Sequence, residues 1–196
     1  GEGGALLVND PELLERAEII WEKGTNRSQF IRGEVDKYTW VDLGSSFLPS
    51  EITAALLICQ LQEAEAITRR RIAVWDRYHA ALAPLEEAGS LRRPHLPQDC
   101  DSNGHIYALV MPDPAQRDAM LTGLQQRGVM ATFHYVPLHS APAGQRFGRA
   151  HGSLDVTEHV SRCLVRLPLY ADLALDDQDY VVSCVHEISR SLRSSS

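Results

Sequence analysis

The chain has 196 residues, of which 44% are hydrophobic and 23% are charged, so it is long enough to bury one or two hydrophobic cores. Its formal net charge of −7 argues against a nucleic-acid-coating role, because proteins of that class bind the phosphate backbone through a basic surface. No apolar run approaches the roughly 20 residues that a membrane-spanning helix needs.

The four cysteines, Cys59, Cys100, Cys163 and Cys184, are widely spaced along the chain. They form no CxxC pair, so the pattern indicates neither a zinc site nor a redox dithiol, and we predict no metal site. Such spacing is typical of reduced, buried thiols. The sequence therefore predicts a cytoplasmic protein without disulfides.

The chain begins with GEGGALLVND, a glycine-rich tetrapeptide that continues into a short apolar run. This run, Ala5–Val8, predicts a buried strand. The basic stretch and apolar core of a signal peptide are not present. A glycine turn of this kind usually lies between two elements, so we expect further sequence upstream of Gly1.

A helix is predicted after the strand. Asn9-Asp10 offers a capping side chain and Pro11 suits the first helical position. Apolar residues then repeat at helical spacing from Leu13 to Trp21, and Gly24 is predicted to end the helix.

A polar, aromatic stretch of about 25 residues follows, from Lys23 to Phe47, without a clear period. It is longer than most structureless loops in compact domains, and long loops of this kind are often functional. After Pro49, Ser50 is a plausible cap for a long helix that we expect to run to Leu85 and to connect two domains.

Three consecutive arginines, Arg69–Arg71, lie within this long helix. A helix turns by about 100° per residue, so the three side chains fan around it and cannot converge on one anion. We therefore predict a solvated face, with Glu63 and Glu65 as surface partners.

The second half of the chain alternates short strands and helices, which predicts a small α+β domain. Gly128 is expected to end the first of its helices. The tail from Arg190 to Ser196 is expected to fray. The elements predicted here are a strand at 105–111, a helix at 115–127, a strand at 129–135, a helix at 154–164, a strand at 165–168 and a helix at 176–192.

Four stretches of the sequence occur together in an order that resembles the sugar-nucleotide aminotransferases. They are GEGGALLVND, WEKGTNRSQFIRGEVDKYTWVDLGSSFLPSEITAALLICQL, MATFHYVPLHSAPAG and RLPLY. The resemblance implies an α/β fold of fold-type I, of which this chain is the C-terminal portion. Residues 1–49 would end the large cofactor domain, residues 50–85 would form the connecting helix, and residues 86–196 would form the small α+β domain.

The resemblance also implies the chemistry. Family members use pyridoxal phosphate (PLP) to aminate nucleotide-linked keto-sugars, and the likeness is greatest to those that act at C4 of a dTDP-4-keto-6-deoxyhexose. Their product, dTDP-4-amino-4,6-dideoxygalactose, points to polysaccharide biosynthesis. Glutamate would be the amino donor, and a homodimer with shared active sites is expected. The alternative is a non-catalytic sugar-nucleotide-binding or assembly module.

In the family, the lysine that forms the Schiff base with PLP lies a few residues before the GEGG turn, so here it is expected upstream of Gly1. The chain contains two lysines, Lys23 and Lys37. A Schiff-base lysine needs a pocket that lowers its pKa, and the polar neighbours of both lysines do not indicate one. We therefore expect no catalytic residue in this chain and no activity from it alone.

The segment around Ser45 and Ser46 is the candidate cofactor contact. By resemblance, an asparagine at the Ser46 position reaches across the dimer interface to the PLP phosphate of the other subunit, and an arginine stands at the Leu48 position. This sequence departs from the family at both positions. A serine hydroxyl can still donate to phosphate. The alternative is that the two serines only form a turn before the Pro49 helix.

The predicted substrate contacts in the first half are Lys23, Arg27, Tyr38 and Trp40. Lys23 and Arg27 offer the charge-assisted donors that a nucleotide diphosphate needs, and a solvated surface loop is the alternative. Tyr38 and Trp40 could stack on thymine or line the sugar pocket, or they could be packing residues.

In the second half, the stretch His134-Tyr135-Val136-Pro137-Leu138-His139 places two imidazoles and a phenol beside a proline-stiffened turn. By resemblance it lies at the mouth of the active site, near the nucleotide-sugar. We therefore predict that His134, Tyr135 and His139 contact the substrate. A single histidine is more often a structural residue.

Overall fold

A computed structural model describes residues 3–194, and the chain divides into two compact units, Gly1–Glu63 and Ala64–Ser196. We call these unit 1 and unit 2. Gly1 and Glu2 of the predicted glycine turn lie outside the described residues. The strand predicted at Ala5–Val8 is wrong: this stretch has no regular secondary structure and pairs with no other described strand, and a lone strand has no partner for its backbone groups. Leu6 and Leu7 are exposed.

Unit 1 begins with the helix that the capping sequence predicts. The Asp10 carboxylate accepts a hydrogen bond from the Glu12 N–H at 3.0 Å, and Pro11 opens a 3₁₀ turn, Pro11–Leu13. Helix α1, Leu14–Trp21, follows directly, and Gly24 takes a left-handed conformation with φ of 75° after it.

The stretch from Lys23 to Phe47 is a loop with its own short elements. It contains helix α2, Arg27–Ile31, and two isolated antiparallel bridges, Glu22↔Ser46 and Thr25↔Trp40. The bridges bring the two ends of the loop together beside the end of α1.

The single helix predicted over residues 50–85 is interrupted twice. Ser50 is the predicted cap, and its hydroxyl accepts a hydrogen bond from the Thr53 N–H at 3.2 Å. Glu63 then leaves the helical conformation, with φ of −99° and ψ of 4°, where the boundary between the units falls. Pro84 cannot donate to the preceding turn and starts a new helix. The observed helices are α3, Glu51–Gln62, α4, Ala64–Ala81, and α5, Ala83–Glu87.

Unit 2 contains a two-stranded antiparallel sheet covered by helices. Residues alternate between core and surface along both strands, as one-sided burial requires. The register pairs Tyr107 with Leu167 and Ala108 with Arg166. The elements after α5 are β1, Tyr107–Val110, α6, Pro114–Gln126, α7, Pro142–Phe147, α8, Asp155–Cys163, β2, Leu164–Leu167, and α9, Leu175–Ser194.

The core of unit 2 lies between this sheet and helices α4, α6 and α9. Tyr78, Leu109, Met120 and Val185 are among its fully buried side chains. Every buried hydrophobic residue of the described chain belongs to unit 2. No helix within residues 3–194 is both long enough and apolar enough to cross a membrane.

Three further predictions for unit 2 need correction. In the strand predicted at 129–135 only Thr132 pairs, with Arg166, because the proline-stiffened turn that follows leads the chain away from the sheet. The predicted frayed tail continues as α9 to Ser194, while Ser195 and Ser196 lie outside the described residues. Buried thiols were predicted at all four cysteines, but Cys59 and Cys100 are exposed, and only Cys163 and Cys184 are buried.

Candidate functional site

Two glycines shape the turn that carries the candidate cofactor contact in unit 1. The Gly24 carbonyl accepts hydrogen bonds from the N–H groups of Val41 and Asp42, at 2.8 and 3.0 Å. A Cβ added at Gly24 would lie 1.8 Å from the Asp42 carbonyl oxygen, and one added at Gly44 would lie 2.1 Å from the Gly24 nitrogen. Only glycine at both positions allows the end of α1 and residues 41–46 to approach so closely.

The backbone of the following serines is held in this turn. The Ser45 N–H donates to the Ile20 carbonyl at 2.8 Å, and the Ser45 carbonyl accepts from the Lys23 N–H at 3.0 Å. Ser46 forms a bridge with Glu22. Both serine side chains are exposed, and their hydroxyls have no hydrogen-bond partner within residues 3–194. The hydroxyls are therefore free to donate to an external acceptor, which fits a phosphate group.

Lys23 and Arg27 lie beside this turn but differ in how far they are available to bind a ligand. Lys23 is exposed and is the one non-glycine residue with positive φ among those described. Arg27 donates from Nη1 to Glu22 Oε1 at 2.6 Å, and the Glu22 side chain is only 5% exposed. Arg27 therefore neutralises a buried carboxylate, and only its remaining N–H groups can reach a ligand.

The two candidate stacking residues in unit 1 are both on the surface. The Tyr38 ring is tilted against Phe30 with 5.6 Å between the ring centroids. The Trp40 indole N–H donates to the Asp42 carbonyl at 2.7 Å, while 74% of the residue is exposed. Trp40 is thus fixed at its polar edge and presents its apolar surface outward, as a stacking platform would.

The predicted substrate residues of unit 2 differ in their exposure. His134 and Tyr135 are exposed, with ring centroids 5.2 Å apart. His139 is partly buried, and its Nε2 lies 2.9 Å from Glu158 Oε1 on α8. This contact links the turn before α7 to α8, while the His134 ring is available to a ligand.

Sequence reasoning missed Arg166, which faces an open recess of about 150 Å³ in unit 2. The recess is lined on other sides by His105, Met130, Thr132 and Pro168. Arg166 lies in the predicted strand at 165–168 and within the RLPLY motif. A charged residue between the buried Val165 and Leu167 must face away from the core, and that alternation could have indicated it.

The three consecutive arginines of α4 do not form a site. Arg69 Nη1 lies 3.7 Å from Glu65, and Arg70 Nη1 lies 2.7 Å from Asp172. The predicted solvated face is confirmed for Arg69 and Arg70, and the predicted pairing is confirmed for Glu65. Arg71 is instead partly buried, with an Nε that has no hydrogen-bond partner, and Glu63 forms no ion pair within residues 3–194. Within residues 3–194, no three His, Cys, Asp or Glu side chains are grouped so that they could hold a metal ion.

Several of the titratable groups with shifted pKa values in unit 2 belong to one structural cluster. Burial lowers the pKa of His79, and the nearby Arg93 guanidinium lowers it further. The His79 ring stacks on Trp75 at 4.6 Å. Arg93 donates to the His79 carbonyl and pairs with Glu86 at 2.7 Å, and its backbone N–H is the main cause of the lowered pKa of Glu86. Burial raises the pKa of Tyr107, which fits a core residue.

Comparison with known proteins identifies the class. A family model, the DegT/DnrJ/EryC1/StrS aminotransferase family, matches residues 1–186. The chain belongs to this family of PLP-dependent sugar aminotransferases, which confirms the resemblance read from the four motifs.

The individual relatives are similar over almost all of this chain. It is 28% identical over 194 residues (97% of this chain, 48% of the relative) to a pleiotropic regulatory protein of Geobacillus stearothermophilus. It is 28% identical over 190 residues (96% and 48%) to a dTDP-3-amino-3,4,6-trideoxy-alpha-D-glucose transaminase of Micromonospora megalomicea subsp. nigra. The chain thus spans about half the length of the curated relatives it matches.

A solved structure gives the same result for the fold. The aminotransferase TlmJ from Streptoalloteichus hindustanus is 30% identical, with a TM-score of 0.78, over 94% of this chain and 47% of that one. The α/β fold of fold-type I, represented here by a portion, is thereby confirmed. The family uses PLP, which confirms the predicted cofactor.

Proposed function

We propose that this chain is part of an aminotransferase that transfers an amino group from glutamate to C4 of a dTDP-4-keto-6-deoxyhexose in the cytoplasm. The observation that carries the proposal is the family match over residues 1–186. PLP, when bound, supplies the electron sink for moving the amino group, while the protein supplies binding, orientation and proton transfer. The product would be dTDP-4-amino-4,6-dideoxygalactose, which suits polysaccharide biosynthesis.

In this proposal the turn after α1 serves the cofactor. The exposed hydroxyls of Ser45 and Ser46 would donate to the PLP phosphate of the other subunit in a homodimer. The geometry of the turn supports this role for the two hydroxyls. Hydrogen bonds fix the backbone of the turn, while the hydroxyls have no partner among the described residues. A fixed backbone lets a hydroxyl bind phosphate with little loss of entropy.

The residues around this turn would bind the nucleotide. Lys23 would contribute charge to the diphosphate, and Arg27 would contribute the N–H groups that Glu22 does not use. Tyr38 and Trp40 would offer exposed aromatic surface to the thymine ring. In unit 2, His134, Tyr135 and His139 would contact the nucleotide-sugar, and the contact of His139 with Glu158 would also hold their segment to α8.

The amination position is the direct test of the substrate. The complete enzyme, PLP, glutamate and dTDP-4-keto-6-deoxyglucose are expected to yield a 4-amino sugar nucleotide, whose proton couplings in NMR spectra identify C4. The dTDP-3-keto isomer is the control, because one relative is named for a 3-amino product. Amination of the 3-keto sugar alone would contradict the proposed position, and no amination of either sugar would contradict the proposed substrate class.

Subunit sharing can be tested by mixing two inactive variants. One would lack the Schiff-base lysine and the other would carry Lys23→Gln and Arg27→Met. Closed two-fold symmetry builds each site twice, so a mixed dimer with composite sites would regain one intact site. No recovery of activity under conditions of subunit exchange would mean that each site is built within one chain.

A second candidate is a sugar-nucleotide-binding module without catalysis. It shares with the first candidate the expectation that neither lysine of this chain forms a Schiff base, because both are exposed and a Schiff-base lysine needs a desolvating pocket. Incubation of the 196-residue chain with PLP, followed by borohydride reduction and peptide mapping, is expected to leave Lys23 and Lys37 without stoichiometric label. Labelling at either lysine together with transaminase activity would contradict both the absent catalytic lysine and the binding module.

A further inference from the structure

We propose that the recess beside Arg166 is an anion subsite that binds one phosphate group of the sugar nucleotide, an assignment of the ligand that rests on the proposed function. The recess belongs entirely to unit 2 and is built from residues 105–106, 130–132 and 166–169. None of the residues that line it is acidic. Its volume of about 150 Å³ admits a small oxyanion group but not a whole nucleotide.

Backbone pairing fixes two of the donors on one face. The Thr132 N–H donates to the Arg166 carbonyl at 3.0 Å, and the Arg166 N–H donates to the Thr132 carbonyl at 2.7 Å. Residues that exchange both hydrogen bonds in an antiparallel pair stand directly opposite each other, with their side chains on the same face. On the other side of Arg166 in the sheet stands Ala108, whose methyl group leaves space on that face.

The Arg166 guanidinium is not used by the protein itself. Within residues 3–194, no carboxylate pairs with it and no hydrogen bond engages it. Three other partly buried arginines of this unit are paired with carboxylates: Arg77 with Asp179, Arg93 with Glu86 and Arg117 with Asp118. A planar guanidinium with free N–H groups matches the geometry of phosphate oxygens, and a diphosphate carries more charge for it than a carboxylate does.

His105 supplies a third group at the edge of the recess. Its Nδ1 lies 2.6 Å from the Asn103 side-chain oxygen. Its Nε2 has no hydrogen-bond partner among the described residues. Arg166, Thr132 and His105 therefore line one opening. Thr132 lies two residues before His134 in the chain.

Calorimetric titration of the 196-residue chain tests this subsite without any catalytic step. Pyrophosphate and dTDP are expected to bind, thymidine and glutamate are expected not to bind, and Arg166→Gln is expected to weaken pyrophosphate binding at least tenfold. Arg190→Gln is the matched control, because Arg190 is exposed on α9 and does not line the recess. A second variant, Thr132→Val, is expected to weaken binding by severalfold and covers the case in which Arg166→Gln unfolds.

The outcomes separate this inference from the proposed function. Failure of pyrophosphate to bind to the unmodified chain would overturn the subsite even if the complete enzyme aminates its sugar. Binding that Arg166→Gln and Thr132→Val leave unchanged would overturn it as well. Arg166-dependent binding of glutamate in place of pyrophosphate would overturn the assigned ligand. Arg166-dependent binding of pyrophosphate supports the subsite whether or not amination is observed, since the titration contains neither sugar, cofactor nor amino donor.

Discussion

Unit 1 and unit 2 are stabilised in different ways. Unit 2 buries a continuous set of apolar side chains around its small sheet, including Tyr107 and Leu109. In unit 1 the buried residues among those described are Glu22 and Gly24, and large apolar side chains such as Leu56 and Trp40 are exposed. Its shape comes from backbone hydrogen bonds, tight glycine contacts and ion pairs.

The difference explains where the proposed contacts lie. A unit held by its backbone can expose aromatic rings, hydroxyls and cations, because it does not need them for a core. The same exposure of apolar surface on α3 is typical of a region that meets another protein surface. Unit 2 contributes donors at the rim of a packed scaffold, where the alternation of β2 separates Arg166 from the core.

The largest expected effect tests the core of unit 2. Leu109→Ala in β1 removes a fully buried side chain and is expected to lower the free energy of unfolding by about 2–5 kcal/mol. Leu56→Ala on α3, where Leu56 is 64% exposed, makes the same chemical change and is expected to stay within about 0.5 kcal/mol. Urea denaturation followed by circular dichroism measures both. Equal losses in the free energy of unfolding would mean that α3 is covered in solution, and would contradict the stated difference between unit 1 and unit 2.

The next effect tests the tight glycine turn of unit 1. Gly24→Ala is expected to cost more than the roughly 1–2 kcal/mol of a left-handed non-glycine residue, because the new Cβ would meet the Asp42 carbonyl oxygen. Gly33→Ala is the matched control: Gly33 has the same φ of 75°, but nothing lies within 4 Å of its would-be Cβ. Hydrogen exchange at the Ser45 amide should quicken in the first variant only. Similar exchange in both would show that strain in φ, and not the close approach, fixes the turn.

How far the sequence predicted this molecule depended on whether a signal was local. The caps at Asp10 and Ser50 were predicted because a capping side chain bonds to its own first turn. The strand expected at Ala5–Val8 failed because a strand needs a partner that composition does not reveal. The same limit hid the recess, since Thr132 and Arg166 meet only through tertiary pairing. Candidate residues such as Ser46 came from the family resemblance, and their roles remain predictions.

For ion pairs the comparison between the units is reversed, because the Arg27–Glu22 pair of unit 1 is expected to contribute more to stability than the Arg70–Asp172 pair of unit 2. Arg27→Met would leave the nearly buried Glu22 carboxylate without its cation and is expected to cost about 1–2 kcal/mol, reduced from the full value because Arg27 is itself half exposed. Arg70→Met in unit 2 breaks an exposed pair with Asp172 and is expected to cost about 0.2–1 kcal/mol. Double-mutant cycles with Glu22→Gln and Asp172→Asn measure each coupling. A larger coupling energy for the Arg70–Asp172 pair would contradict the expectation that the Arg27–Glu22 pair is the more stabilising of the two.

The smallest expected effect is a pH dependence in unit 2 that arises at His79. Its pKa is lowered from the ordinary 6.5, first by burial and then by Arg93, so the folded state binds a proton less readily than the unfolded state. The resulting stability is complete above pH 6.5 and is lost as the pH falls through the lowered pKa of the folded state. Glu86, whose pKa lies below 4.5, contributes its own loss only at lower pH, so the window from pH 7.5 to 5 isolates the histidine.

His79→Gln is therefore expected to flatten the fall in the free energy of unfolding between pH 7.5 and 5, measured by urea denaturation at each pH. His151→Gln, at an exposed position, is the matched control and should keep the slope of the unmodified chain. Trp75 fluorescence gives a second readout, because the His79 ring stacks on this indole and its charged form should quench the emission at low pH. If both variants keep the same slope, the proton uptake that destabilises unit 2 occurs elsewhere, and the cluster of His79, Trp75 and Arg93 contributes only packing.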